Sequence, residues 1–211
     1  MKRKLVRFLV ASTAVLIIAV FGDYLYEEPQ VAPARAIFHV GYRLTGGSDR
    51  FLTSYSQHLL ETNGGTIPFE VDTYLCSRLQ STSSTSEFDA LVHFYILQSN
   101  GRMGIQLGRL PDELKARVID EIFQRITSLD RPDCLKAIEL VEYLRLDGDI
   151  FKPHLSRGEL RNKDGISTTM PEAIDEAVTR FADWWRSPFP WPEKKKISPL
   201  EGSNLSIIGF P

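Results

Sequence analysis

Between Ala34 and Arg186 the apolar residues return every three or four positions, in short runs closed by Gly, Pro or Ser. That spacing puts one apolar stripe on each of a series of helices, and a helix with a single stripe must bury it against a neighbour. The expected fold is all-α: an N-terminal membrane-anchor helix, then about seven short helices, starting about 20 residues apart, stacked into a bundle or short solenoid. No strand is expected.

The first predicted helix runs from Ala34 to about Leu44, with Ile37, Val40 and Leu44 as its stripe and Gly46-Gly47 closing it. A second starts after Ser48 as N-cap, with Asp49 in the positive first turn, Leu52, Tyr55 and Leu59 inward, and Gly64-Gly65 at its end. A third opens at Pro68 and carries Val71, Tyr74, Leu75 and Leu79. The hydroxyl run from Ser81 to Ser86 reads as a loop whose last residue caps the next helix, with Asp89 at capping-box-like spacing. Phe88, Leu91, Val92, Tyr95 and Ile96 then recur at helical spacing up to Asn100-Gly101. The same Asn-Gly could turn a β-hairpin between 91–98 and 102–107, and the cap at Ser86 decides for helix. Pro111 and Pro132 open two further helices, bearing Leu114, Val118, Ile122, Phe123 and Ile126, then Leu135, Ile138, Val141 and Leu144. After a polar excursion from Asp149 to Ser167, Thr169 and Glu172 bracket Pro171 at the start of a helix with Ile174, Ala177, Val178, Phe181 and Trp185.

Within this series, Leu129-Asp130-Arg131-Pro132-Asp133, the pair Leu135-Lys136 and the step Asp147-Gly148-Asp149 resemble a single HEAT-type repeat. That family reuses an Asp-Pro-rich turn, a helix opening on an aliphatic-basic pair, and a Gly-Asp step before the next helix. The resemblance spans about 25 residues. It implies a concave surface for a protein partner and no particular reaction.

Location follows from the N-terminus. Lys2, Arg3, Lys4 and Arg7 precede an uncharged run from Phe8 to Gly22, and Asp23, Glu27 and Glu28 follow it. A basic cluster ahead of an apolar run keeps the basic end in the cytoplasm and sends the remainder across the membrane. Fifteen helical residues cover about 22 Å, short of the roughly 30 Å hydrocarbon core, whereas residues 5–26 suffice, with Tyr24 and Tyr26 in the interface. The rival is a cleaved signal peptide, which would make the product secreted; its cleavage triplet, Val20-Phe21-Gly22, fits weakly. The preferred division is an anchor over 1–26, a stalk over 27–33, a helical domain over 34–186 and a proline- and aromatic-rich extended tail over 187–211. Taking the four cations of the first seven residues from the net charge of −2 leaves −6 on the remainder, which repels nucleic acid and anionic lipid alike.

The chemistry of catalysis is sparse. His39, His58, His93 and His154 share no helix face, HExxH and paired Cys-x-x-Cys are missing, and no metal or other cofactor is expected. Gly101, Gly104 and Gly108 lack the terminal Lys-Ser/Thr of a phosphate loop, and Asp147-Gly148-Asp149 lacks the alternating oxygens of a calcium loop. Cys76 and Cys134 have two readings, a disulfide in an oxidising compartment or two small buried hydrophobes. Phe189 and Trp191, among Pro188, Pro190 and Pro192, are candidate partner contacts or parts of a strap over the helix with Trp184 and Trp185. The apolar end from Leu205 to Pro211 is suited to docking, on this chain or on a partner. Three functions remain: a membrane-anchored extracytoplasmic protein-interaction domain, which is preferred; an extracytoplasmic enzyme such as a hydrolase, assembled from dispersed residues such as His58, His93 and His154; and a secreted soluble factor, if the N-terminal segment is cleaved.

Overall fold

The computed structural model describes residues 10–15, 17, 18, 32–99, 106–148, 159–164, 166, 168 and 170–208. Local signals set the helix ends. Ser48 Oγ accepts the Phe51 N–H, and Gly64, at φ 58°, turns the chain so that its N–H reaches Leu59 O; between them lies a helix over Asp49–Asn63. Asp130 likewise accepts the Asp133 N–H at 2.9 Å and opens a helix over Arg131–Arg145. The seven predicted helices all form: α1 (Ala32–Thr45), α2 (Asp49–Asn63), α3 (Phe69–Ser81), α4 (Thr85–Gln98), α5 (Asp112–Arg125), α6 (Arg131–Arg145) and α7 (Pro171–Arg186). The stretch open to a hairpin reading is helical through Gln98, while Asn100, Gly101 and the second hairpin arm lie largely outside the described residues.

α4 is the central rod and packs against α2, α3, α5 and α6. Phe88, Ala90, Leu91, Val92, Phe94, Tyr95 and Ile96 are all buried, so it is apolar around most of its circumference, the remaining side carrying Asp89, paired with Arg125, and His93, bonded to Asp49. α1 lies on α2, and α7 on α6. Phe38, Tyr55 and Phe94 form a run of rings between α1, α2 and α4, with centroids 5.1 Å and 6.1 Å apart. Cutting one such buried ring back to alanine costs about 3–5 kcal/mol.

Four expectations are corrected. In α1 the aliphatic stripe Ile37, Val40 and Leu44 does not face the core: Ala34, Phe38 and Tyr42 do, because the aromatic rings fill the space between α2 and α3 and the aliphatics do not. α4 is capped two residues earlier than expected. Ser84, not Ser86, accepts the Glu87 N–H, and the Glu87 carboxylate accepts from Tyr42 (2.6 Å), Arg78 (2.8 and 2.9 Å) and Thr82. Two strands also appear, β1 (Glu159–Asn162) and β2 (Leu205–Ile208), paired antiparallel with Leu160 opposite Ile207. Leu160 and Leu205 both join the core, which turns part of the polar excursion inward. Finally, the C-terminal segment is not extended throughout, since Trp191–Lys194 forms a helical turn, α8, ahead of β2.

At the N-terminus residues 10–15, 17 and 18 are helical, and Val10, Val15, Ile17 and Ile18 expose most of their side chains. Among the described residues no helix is long and apolar enough to cross a membrane. Most of the expected span 5–26, the greater part of the stalk, the cap at Thr169 and the tail beyond Ile208 lie outside the described residues.

Candidate functional site

α7 ends on two adjacent tryptophans that are locked in different ways. Trp184 is buried, lies edge-on to Phe181 at 6.2 Å, and donates its indole N–H to Lys194 O at 3.1 Å. Trp185 stacks on Phe123 of α5 at 6.2 Å and donates to Asp120 at 3.2 Å. The chain turns at Ser187, whose hydroxyl donates to Trp184 O, and Pro188 and Pro190 stiffen the way to α8. α8 returns Trp191 onto Trp184 and Trp185, with centroids at 6.4 and 6.0 Å. Lys194 lies over the Trp185 ring at 4.7 Å and donates its ammonium to Trp185 O.

Charges then fasten this strap to the bundle. Lys195 donates to Asp147 at 2.7 Å and to Asp112 at 3.2 Å, and Arg145 donates to Lys195 O at 2.9 Å. Asp147 also accepts from Lys115, whose side chain is almost wholly buried. Asp147 sits at φ 54°, a left-handed conformation that aspartate tolerates better than most residues. Burial pushes its carboxyl up, but Lys115 and Lys195 outweigh that and hold it below the usual range.

The strap leaves an open groove of about 450 Å³ at the end of α7. Trp184, Phe189, Ile197 and Pro199 line it with apolar surface; Arg180, Asp183 and Glu201 stand on its rim. Phe189 remains 47% exposed. The two residues singled out in the sequence therefore part company: Phe189 lines the groove, while Trp191 belongs to the strap and packs on Trp184 and Trp185. The indole N–H of Trp191 is buried and meets no acceptor among the described residues. A smaller depression, about 210 Å³, lies between the Thr82–Thr85 loop and Arg117, Asp120 and Glu121 of α5.

A second polar cluster is sealed inside. Asp72, 1% exposed, accepts from the Tyr95 hydroxyl at 2.9 Å and from the Gln106 N–H at 2.9 Å, with Cys76 Sγ at 3.7 Å from the same carboxylate and 3.4 Å from Tyr95 Oη. Burial raises the Asp72 carboxyl, and burial together with Asp72 pushes the Cys76 thiol up to about 12. A thiol so raised stays protonated near neutral pH and is no nucleophile. Cys134 is also a free, buried thiol, in contact with Ile126 O at 3.4 Å.

The described histidines have separate partners. His93 bonds Asp49 at 2.8 Å, and His39 lies edge-on to Phe38 and Tyr74. His58 lines neither depression, nor do the other two, and His154 lies outside the described residues. No group of three or more His, Cys, Asp or Glu among the described residues could hold a metal ion. Sequence spacing could place Trp184 and Trp185 on α7, but not the rim of Arg180 and Glu201, which chain folding brings to one opening. No family model matches the chain, and neither a curated protein nor a solved structure matches it.

Proposed function

We propose that this chain is a membrane-anchored, extracytoplasmic helical module that binds a protein partner through the groove beside Phe189. The observation that carries the reading is the half-exposed Phe189 ring, set on a proline-stiffened turn whose base is held by Trp184, Trp191 and the Lys195–Asp147 latch. An aromatic side chain on a rigid frame loses little freedom on association, and such anchors dominate interface energies. Arg180, Asp183 and Glu201 supply a polar rim of mixed charge around an apolar floor, the usual make-up of an interface patch. The HEAT-type resemblance over 129–149 favours the same use. The anchor half of the proposal draws on the basic cluster Lys2–Arg7 and on the exposed apolar side chains of Val10, Val15, Ile17 and Ile18.

A photo-crosslinking residue introduced at Phe189 of the full chain, in intact membranes, tests the contact. The expected result is one discrete protein adduct, weakened several-fold by Glu201→Arg and missing when the crosslinker replaces Glu172 on the exposed first turn of α7. Equal, diffuse labelling from both positions would overturn it. Recovery of the full chain in the soluble cytoplasmic fraction would remove the anchor.

A further inference from the structure

α1 has two apolar faces, and the protein covers one of them. Ala34, Phe38 and Tyr42 enter the core. On the other side Ile37 is 46% and Leu44 80% exposed, with Val40 half-buried between them and Pro33 exposed one turn earlier. At 3.6 residues per turn these four positions fall within an arc of about 60°. The helix contains no acidic residue; its charges are Arg35, which pairs with Glu70 at 2.8 Å, and the exposed Arg43, with Arg50 exposed just beyond. Since Arg35 holds Glu70, the start of α3 lies beside the first turn of α1, and there Phe69 adds another mostly exposed ring.

The tether decides what meets this face. From Tyr26, the last residue of the expected span, to Ala32 is six residues, a reach of at most about 20 Å, comparable with the roughly 21 Å length of α1 itself. A helix held that near a bilayer, apolar outside and lacking acidic groups, meets headgroups before it meets anything else. A second copy is the poorer occupant, because Arg43 would face Arg43 with no carboxylate on α1 to answer it.

We infer that α1 lies on the bilayer surface, with Ile37, Val40 and Leu44 at the boundary of headgroups and acyl chains and with Arg43 and Arg50 on anionic headgroups, a local basic edge on a domain whose net charge of −6 keeps its other faces away from such lipid. This rests on the anchor proposed above, and it adds an orientation: the α1 side of the bundle faces the membrane.

The test uses the full chain reconstituted in vesicles of phosphatidylcholine and phosphatidylglycerol with brominated acyl chains. An environment-sensitive fluorophore is placed by Leu44→Cys, by Val15→Cys in the anchor, or by Asp183→Cys on α7; native Cys76 and Cys134 are buried and do not compete for label. The expected result is strong quenching of the Val15→Cys probe, quenching of the Leu44→Cys probe several-fold above that of Asp183→Cys, and loss of that excess in vesicles of phosphatidylcholine alone. Quenching at Val15→Cys with Leu44→Cys no different from Asp183→Cys would overturn the inference and leave the anchor standing. No quenching at any position would remove the anchor and the inference with it. A disulfide-linked dimer through Leu44→Cys, with no quenching there, would assign the face to a second copy and overturn it as well.

Discussion

Asp72 is the most committed side chain in the bundle. It is buried, and two donors from other elements, the Tyr95 hydroxyl and the Gln106 N–H, depend on it. Asp72→Ala strands both and should cost about 2–4 kcal/mol, read as a lower urea midpoint. Asp72→Asn keeps one acceptor and should lose clearly less; equal losses would show that volume, not acceptance, is what the site needs. None of this was legible in the sequence, where Asp72 is one more polar residue on a helix with an apolar stripe. Its burial is decided by Gln106, 34 positions on, and by Tyr95 on another helix. The cysteines were legible only as two open readings, for the same reason: partners far along the chain choose between a crosslink and a packed thiol.

Element boundaries were read well wherever a single residue type has one local use. Ser48, Gly64, Pro68, Pro111 and Pro132 all stand at helix ends in the structure. Where several residues could serve, local reasoning lost its grip. Any of the hydroxyls before Phe88 could cap α4, and Ser84 does so because Glu87, at its third position, is drawn to Arg78 and Tyr42. Ser84→Ala should therefore cost about 1 kcal/mol in the thermal or urea unfolding of the domain, and Ser86→Ala close to nothing. The reverse ranking would restore the original boundary. α1 shows the other way to misread an element: both of its faces are apolar, and periodicity names the stripes without saying which the core will take. β1 gave no warning at all, since Glu159-Leu160-Arg161-Asn162 offers one apolar residue to alternate.

For the whole molecule the acid limb of stability is set by carboxyls held below their ordinary range. Arg125 lowers Asp89 most directly. In Glu87 and Asp147 burial works upward and is outweighed by the donors around them. A carboxyl with a depressed folded value stabilises above its unfolded value and loses that contribution as pH falls through the folded one. Asp72 and Glu142, raised by burial, and Glu121, raised by burial and by Asp89 beside it, work in the opposite sense: their contribution is whole below the unfolded value and fades as pH rises through the folded one. Stability should thus fall as pH drops below about 5, with the loss from the three lowered carboxyls partly offset by the three raised ones. Asp147→Asn should lower stability at neutral pH by about 1 kcal/mol, since half of its side chain is open to solvent that screens the pair, and make the acid limb shallower, as measured by unfolding across pH. Hydrogen exchange should quicken in the strap, at residues 187–200, before α2 or α4 is affected.

The pairing of β1 with β2 joins positions more than forty residues apart, and the latch from Lys195 reaches back to α5 and to the turn that follows α6. During synthesis α1 to α4 can begin to assemble as they emerge, but Trp184 at the end of α7 is not covered by Trp191 and Lys194 until the ribosome has released the stretch through α8. A nascent chain that pauses shortly after Arg186 therefore presents a bare aromatic end to whatever chaperone attends its synthesis, and codons downstream of that point set how long it waits.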